Sequence, residues 1–347
     1  MNYELPCAVV RDLLPNYLEG LTSGETNQAV EAHLAACPDC AACKAAMAGG
    51  TSAAEAAEQA REVDYLKKVK RRSGRRILLA VLATVLLFVA GVAAKVFIIG
   101  QPVSIHDVMY TMTTDGKTLD IQLSSSGSAT ALKGWHITVE DDIAYVEGRN
   151  VLVSGLYRSG STQVEVPLQG LSLVYLCGRP VWQDDTFITQ EGLALYEART
   201  PYVGDPSALN QIAELAHIRP NFGDYSSRLQ TSDHPYRWTL DFSNDGWIGT
   251  IGRNPDSFDK GMAGYAIQLL ALVENLEEVE WTYTDLHGEF QSQVLTLEGA
   301  NALLPELFDT YKSTHAYCPW NPLPDVKLCG KNLGDFSKLL ELTRISS

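Results

Sequence analysis

Positive charge is what the larger part of this chain lacks: residues 96–347 hold sixteen Lys and Arg against thirty-two Asp and Glu. A surface of that sign repels phosphate, which argues against direct nucleic-acid binding by this part. Catalytic signatures are missing too. There is no Gly-x-Ser-x-Gly, no phosphate loop and no His-Glu-x-x-His, which removes the motif-bearing hydrolase and nucleotide-binding readings. Apolar residues are not lacking. At 46% apolar and 20% charged over 347 residues, disorder is not the default and there is room for two or three domains.

Cysteine is scarce but unevenly placed. Cys7, Cys37, Cys40 and Cys43 cluster near one end, while Cys177, Cys318 and Cys329 are scattered through the rest. In Ala29-Val-Glu-Ala-His33-Leu-Ala-Ala-Cys37-Pro-Asp-Cys40, His33 and Cys37 stand at i and i+4. On a helix both side chains project from one face, and Pro38-Asp39 turns the chain so that Cys40 reaches the same point. Structural Zn²⁺ takes four N and S ligands in a closed tetrahedron, and Cys7 is the upstream residue able to complete a Cys3His set. The expected metal ligands are therefore Cys7, His33, Cys37 and Cys40. Cys43 forms a second Cys-x2-Cys pair with Cys40, so one can stand in for the other; otherwise Cys43 is a half-exposed bystander. Four protein ligands leave no position for water, so such a zinc is structural rather than catalytic.

Around this set, Leu5, Val9, Leu13, Leu14 and Tyr17 recur at helical spacing, with Pro15 expected to kink the helix and Gly20 to stop it. Thr22-Ser-Gly-Glu25 has the form of a capping box for a second helix. Two short helices bury little apolar surface, and a metal clip supplies what they lack. Beyond Gly49-Gly50, residues 52–70 are rich in helix formers, with Ala56, Ala60, Val63 and Leu66 as a thin apolar stripe. Lys67 to Arg76 then carries seven positive charges and runs directly into eighteen uncharged residues from Ile77 to Ala94. Extended to Ile99, this is long enough for one membrane crossing if Lys95 snorkels. The basic run places residues 1–76 in the cytoplasm, with its charges against anionic membrane lipid.

Pro6-Cys7-Ala-Val-Val-Arg-Asp-Leu-Leu-Pro15-Asn-Tyr17, followed by Val30-Glu-Ala-His33 and Cys37-Pro-Asp-Cys40, resembles the zinc-binding anti-sigma domain found at the N-terminus of many bacterial membrane proteins. The likeness covers roughly the first 45 residues. It implies a sigma factor as partner, held in part by the helix after the zinc hairpin, and release through regulated proteolysis or a conformational change.

After Gly100 the pattern changes to short alternating runs. Leu119, Ile121 and Leu123 form one set, Trp135, Ile137 and Val139 a second, and Val164, Val166 and Leu168 a third. A small β-sandwich over about 101–190 is expected. From about 191, helices return. Asp205-Pro206 opens one that runs to about Ala216, Arg228–Phe242 reads as a hairpin turning near Ser232-Asp-His-Pro235, Met262 to Val273 is an amphipathic helix, and Glu278–Thr284 is a strand. Tyr202-Val-Gly-Asp-Pro, Leu229 to Tyr236 and Ala266 to Asn275 resemble a domain of unknown function from extracytoplasmic parts of Gram-positive membrane proteins, some of them sensors. Cys318 and Cys329 are a disulfide candidate, which leaves Cys177 as a free thiol.

The expected organisation is therefore multidomain. A small all-α zinc-binding domain (1–48) is followed by a linker helix and basic run (49–76), a single transmembrane helix (77–99), a small β-sandwich (101–190) and an α+β domain (191–347), the last two extracytoplasmic. The expected function is that of a membrane-anchored anti-sigma factor, not an enzyme, with an alternative sigma factor, membrane lipid and site-specific or intramembrane proteases as partners. An envelope ligand-binding or scaffold protein with a zinc adaptor is the alternative. Ser257-Phe-Asp-Lys260 has the Ser-x-x-Lys form of penicillin-recognising serine enzymes, but the companion Ser-Asp-Asn and Lys-Thr-Gly motifs are absent and Lys312-Ser-Thr lacks the glycine. His234 and His287 are isolated.

Overall fold

The computed structural model describes residues 5–49, 53–242, 255–285, 287–315 and 318–344, with backbone alone for 53–72 and 255. It divides into two compact units, Met1–Val92 and Ala93–Ser347.

The first unit opens with three short helices, α1 (Cys7–Leu18), α2 (Gly24–Ala36) and α3 (Pro38–Ala48). α1 runs through Pro15, and its inner face is Val10 and Leu14, both fully buried. Val10, rather than the expected Val9, faces inward because it shares the 3.6-residue stripe of Cys7, Leu14 and Tyr17; Val9 is exposed. The cap of α2 also lies one residue later than the capping box at Thr22 implies. Ser23 accepts from the Thr26 N–H, while the Thr22 hydroxyl donates to the Asn27 carboxamide instead. α3 replaces the expected simple turn, because Pro38 suits the first position of a helix as well as it ends the previous one. Val30 of α2 and Cys40 of α3 complete a core of four fully buried residues. Tyr17 ties α1 to α2 by donating to Glu31 (2.9 Å), and Lys44 of α3 lies 5.0 Å over the Tyr17 ring.

α4 (Ala53–Ala94) is one continuous helix that takes in the expected linker helix, the basic run and most of the expected span. The stripe Ala56, Ala60, Val63 and Leu66 and the basic side chains up to Arg72 lie outside the described side chains. Ser73–Ile99 is long and apolar enough to cross a membrane, and its apolar side chains are exposed.

In the second unit, a single π-helical turn (Lys95–Ile99) precedes strands β1 (Gln101–Pro102), β2 (Val108–Thr114), β3 (Thr118–Ser125), β4 (Thr130–Glu140), β5 (Ile143–Leu152), β6 (Ser161–Pro167), β7 (Leu173–Leu176), β8 (Arg179–Gln183) and β9 (Thr186–Phe187). One sheet runs β1-β5-β7-β8-β9 with β4 also on β5, and the other runs β2-β3-β6. The two share one core: Leu119, Ile121, Leu123, Val164 and Val166 from the smaller sheet meet Ala144, Val146, Val174, Leu176 and Trp182 from the larger. Two of the three alternating sets thus point inward. The third does so only at Trp135, which packs half-buried against the core, while Ile137 and Val139 are exposed on β4. β4 pairs only with β5, and past the irregularity between Lys133 and His136 neither apolar side chain faces the core.

The chain continues through α5 (Gln190–Glu197), α6 (Pro206–Leu215), α7 (Ile218–Phe222), β10 (Ser226–Gln230), β11 (Arg237–Asp241), α8 (Pro255–Leu272), β12 (Glu278–Thr284), β13 (Phe290–Thr296), α9 (Leu297–Thr314), α10 (Val326–Cys329) and α11 (Leu333–Arg344). Asp205 caps α6 by accepting from the Ser207 and Ala208 N–H groups. β10–β13 form a sheet in chain order in which β11 and β12 are parallel, so α8 is a crossover helix, and it carries Met262, Ala266, Leu269 and Leu270 into the core. Near its C-terminal end α8 is clamped. Lys327 Nζ donates to the carbonyls of Leu270, Val273 and Leu276 at 2.6–2.7 Å, and a Cβ on Gly330 would lie 1.9 Å from the Ala271 oxygen. Cys318 and Cys329 are both free thiols rather than a disulfide, and Cys329 is buried.

Candidate metal centre

Cys7 begins α1, His33 sits in the last turn of α2, Cys37 is the extended residue between α2 and α3, and Cys40 lies in the first turn of α3. Their ligand atoms all lie within 4.8 Å of one another, and Cys7 Sγ stands 3.8 Å from Cys37 Sγ. Two thiolates at about 2.3 Å from one tetrahedral Zn²⁺ would stand about 3.8 Å apart. The imidazole fits the same role, because His33 Nε2 is buried and has no hydrogen-bond partner. An orphaned ring nitrogen facing three thiols is costly unless a cation takes its lone pair. This Cys/His cluster is suited to a zinc ion.

Electrostatics act on these thiols in opposite directions. The Cys40 N–H, and after it the Asp39 N–H, donate toward Cys37 and lower its thiol pKa, as expected at the start of a helix. Cys40 moves the other way, raised by burial and by the neighbouring thiols. Bound zinc would overrule that rise, since a coordinating thiol is deprotonated outright. Three thiolates on Zn²⁺ leave one net negative charge. Arg11, one turn beyond Cys7, hydrogen-bonds to Cys40 and also feels Cys43 and Cys7. Its guanidinium is a counter-charge that spacing arguments missed, although its place four residues after Cys7 on a helix is the signal that could have found it. Cys43 lies outside the four-atom cluster and packs, half-buried, against the small core.

The other singled-out residues do not gather. Ser257 and Lys260 are exposed on the first turns of α8, with Phe258 between them in the core. His234 is held by Glu277 at 2.9 Å and stacked on Tyr236, and His287 lies in the turn before β13. A separate cleft of about 890 Å³ in the larger unit is lined by Trp182, Asp184, Trp320 and Lys338 among others.

Residues 7–41 match the family described as "Putative zinc-finger" and residues 195–294 match a domain of unknown function, DUF4825. No curated protein and no solved structure matches the chain. Two stretches of the chain are thus similar to known families, residues 7–41 to a zinc-finger family associated with anti-sigma factors and residues 195–294, in the larger unit, to DUF4825.

Proposed function

We propose that this protein is a membrane-anchored anti-sigma factor. Its zinc domain lies in the cytoplasm and sequesters an alternative sigma factor of the extracytoplasmic-function type, Ser73–Ile99 crosses the membrane once, and the larger unit senses the envelope outside. The observation that carries the reading is the convergence of Cys7, His33, Cys37 and Cys40 within a match to the zinc-finger family. Other features support it further. A closed ligand set suits a structural clip, so the role is binding rather than catalysis. The cleft lined by Trp182 and Trp320 supplies the outer unit with a place for a small ligand.

The test is copurification. The full chain, zinc loaded and in detergent, is expressed with the sigma factor encoded beside its gene and drawn out by a tag. A stoichiometric complex that disappears with Cys37→Ala is the expected result. No complex with zinc present would sink the proposal and favour an adaptor for some other cytoplasmic protein.

A further inference from the structure

Acidic residues are unevenly spread over the larger unit. Segments 96–104, 121–134 and 149–164 contain Lys133, Arg149 and Arg158 and not one Asp or Glu, although residues 96–347 carry thirty-two acids. The strand register brings these three segments to one end of the sandwich. β1 pairs Gln101 with Asn150 and Pro102 with Arg149, β4 pairs Lys133 with Arg149, and β3 pairs Ser124 with Ser161. Asp107, which adjoins Ser126, turns its carboxylate to the Ser104 N–H. Turns at the other end of the sandwich hold Asp115, Asp141, Asp142, Asp184 and Asp185. The sandwich is thus polarised, with Asp107 at an otherwise acid-poor end where the chain leaves the apolar helix.

That end is also apolar at its tip. Leu152 and Val153 are exposed and lead into a tight turn closed by Ser154 N–H to Tyr157 O at 2.8 Å, with Ser154 Oγ accepting from the Leu156 and Tyr157 N–H groups. Leu156, at the apex, is 75% exposed. The turn is fastened to the end of the apolar helix. Lys133 Nζ donates to the Ile98 carbonyl and to Tyr157 Oη (3.2 Å), and lies 4.5 Å over the Tyr157 ring. Phe97, Ile98 and Ile99 are themselves exposed. Leucine at a turn apex, a tyrosine with its hydroxyl engaged and basic residues clear of acids make the composition of a surface that lies in a lipid interface.

We propose that this end of the larger unit rests on the bilayer, with Leu152, Val153 and Leu156 set among the lipids and Lys133, Arg149 and Arg158 at anionic headgroups. The chain then touches the membrane twice, through the spanning helix and through this turn. The acid-rich remainder is held away from the negative surface. The inference rests on the membrane-spanning reading of Ser73–Ile99, and its test separates the two.

The full chain is placed in nanodiscs of mixed phosphatidylcholine and phosphatidylglycerol, and photo-reactive benzoylphenylalanine replaces one residue at a time. Leu156→benzoylphenylalanine is compared with Leu87→benzoylphenylalanine in the apolar helix and with Leu328→benzoylphenylalanine, an exposed leucine on α10. The expected lipid-adduct yield at 156 is within about threefold of that at 87, at least about tenfold above that at 328, and about threefold lower in phosphatidylcholine alone. Adducts at 87 without adducts at 156 would overturn this inference and leave the spanning helix standing, whereas adducts at neither would overturn both. A covalent dimer through position 156 would mark a contact between copies and refute the lipid surface, and equal yields in the two lipid mixtures would refute the headgroup contacts.

Discussion

Removing the metal should dissolve the small helical domain and spare everything beyond the apolar helix. The apolar core of α1–α3 is Val10, Leu14 and Val30, with Cys40 as its fourth member. Full burial contributes roughly 1.5–3 kcal/mol for each aliphatic side chain, so the three together offer at most about 9 kcal/mol. Structural zinc in small domains contributes an apparent ~10–16 kcal/mol near neutral pH. The metal therefore outweighs the apolar core, and without it the domain falls below what so few residues can support. Amide hydrogen exchange on the full chain in detergent, before and after a chelator, reads this directly. Protection within residues 7–48 should fall at least about a thousandfold, the signature of losing ~4 kcal/mol or more of local stability, while α8 and β12 keep theirs. Alanine at Cys7, His33, Cys37 or Cys40 should reproduce the loss, and Cys43→Ala should retain one zinc per chain. Unchanged protection after complete metal removal would refute the reasoning. Zinc kept by Cys40→Ala and lost by Cys43→Ala would reassign the last ligand.

Other expectations are more local. Arg11→Ala should weaken zinc binding by about tenfold, as other outer-shell changes do, in competition with a colorimetric chelator and with the helices intact when zinc is in excess. Gly330→Ala should cost about 3 kcal/mol or more in denaturant melts, because its new methyl would meet the Ala271 carbonyl, a backbone atom that cannot step aside. Lys327→Met should cost about 2–3 kcal/mol in the same assay, since three carbonyls at the end of α8 lose one shared ammonium. Burial pushes the Cys329 thiol up to about 12 from 9.0. Above pH 9 the unfolded chain then gives up a proton that the folded chain keeps, so this thiol's contribution to stability is lost as pH rises toward 12. Proton-linkage analysis of melts between pH 8.5 and 10.5 should show Cys329→Ala with up to one proton fewer released on unfolding than the parent.

The metal set is legible in the sequence because zinc chemistry dictates both residue type and spacing: Cys37 follows His33 by one turn, although it ends α2 as an extended residue instead of sharing the helix face that the spacing implies, and Pro38 then starts the helix that carries Cys40. The helix starting after Asp205 and the strand Glu278–Thr284 are legible for similar local reasons, a side-chain cap and a stretch rich in β-branched and aromatic residues. What escaped reading depends on partners distant in sequence. Ile137 and Val139 alternate like core residues, yet only the sheet order places them on an outer strand. Arg11 reads as a surface charge until α3 brings Cys40 beside it. Lys327 gives no sign in sequence of its place at the end of α8, more than fifty residues earlier. Cys318 and Cys329 are close in sequence, but one is buried against the helices and the other lies in the segment before α10.

Between α2 and α3 a single residue is not helical, and that residue is Cys37, with φ −123° and ψ 107°. Two torsions are then the whole mechanical freedom of the joint between those helices. Because the side chain of the same residue is a metal ligand, the ion would act as a latch on a two-parameter hinge, adding to the packing of Val30 against Cys40 a hold on the backbone angles through Cβ. Taking the latch away changes no sequence and breaks no covalent bond of the chain, yet it turns one defined shape into a continuum of angles. A partner that recognises the two helices together would lose its surface at that moment, even if each helix survived alone.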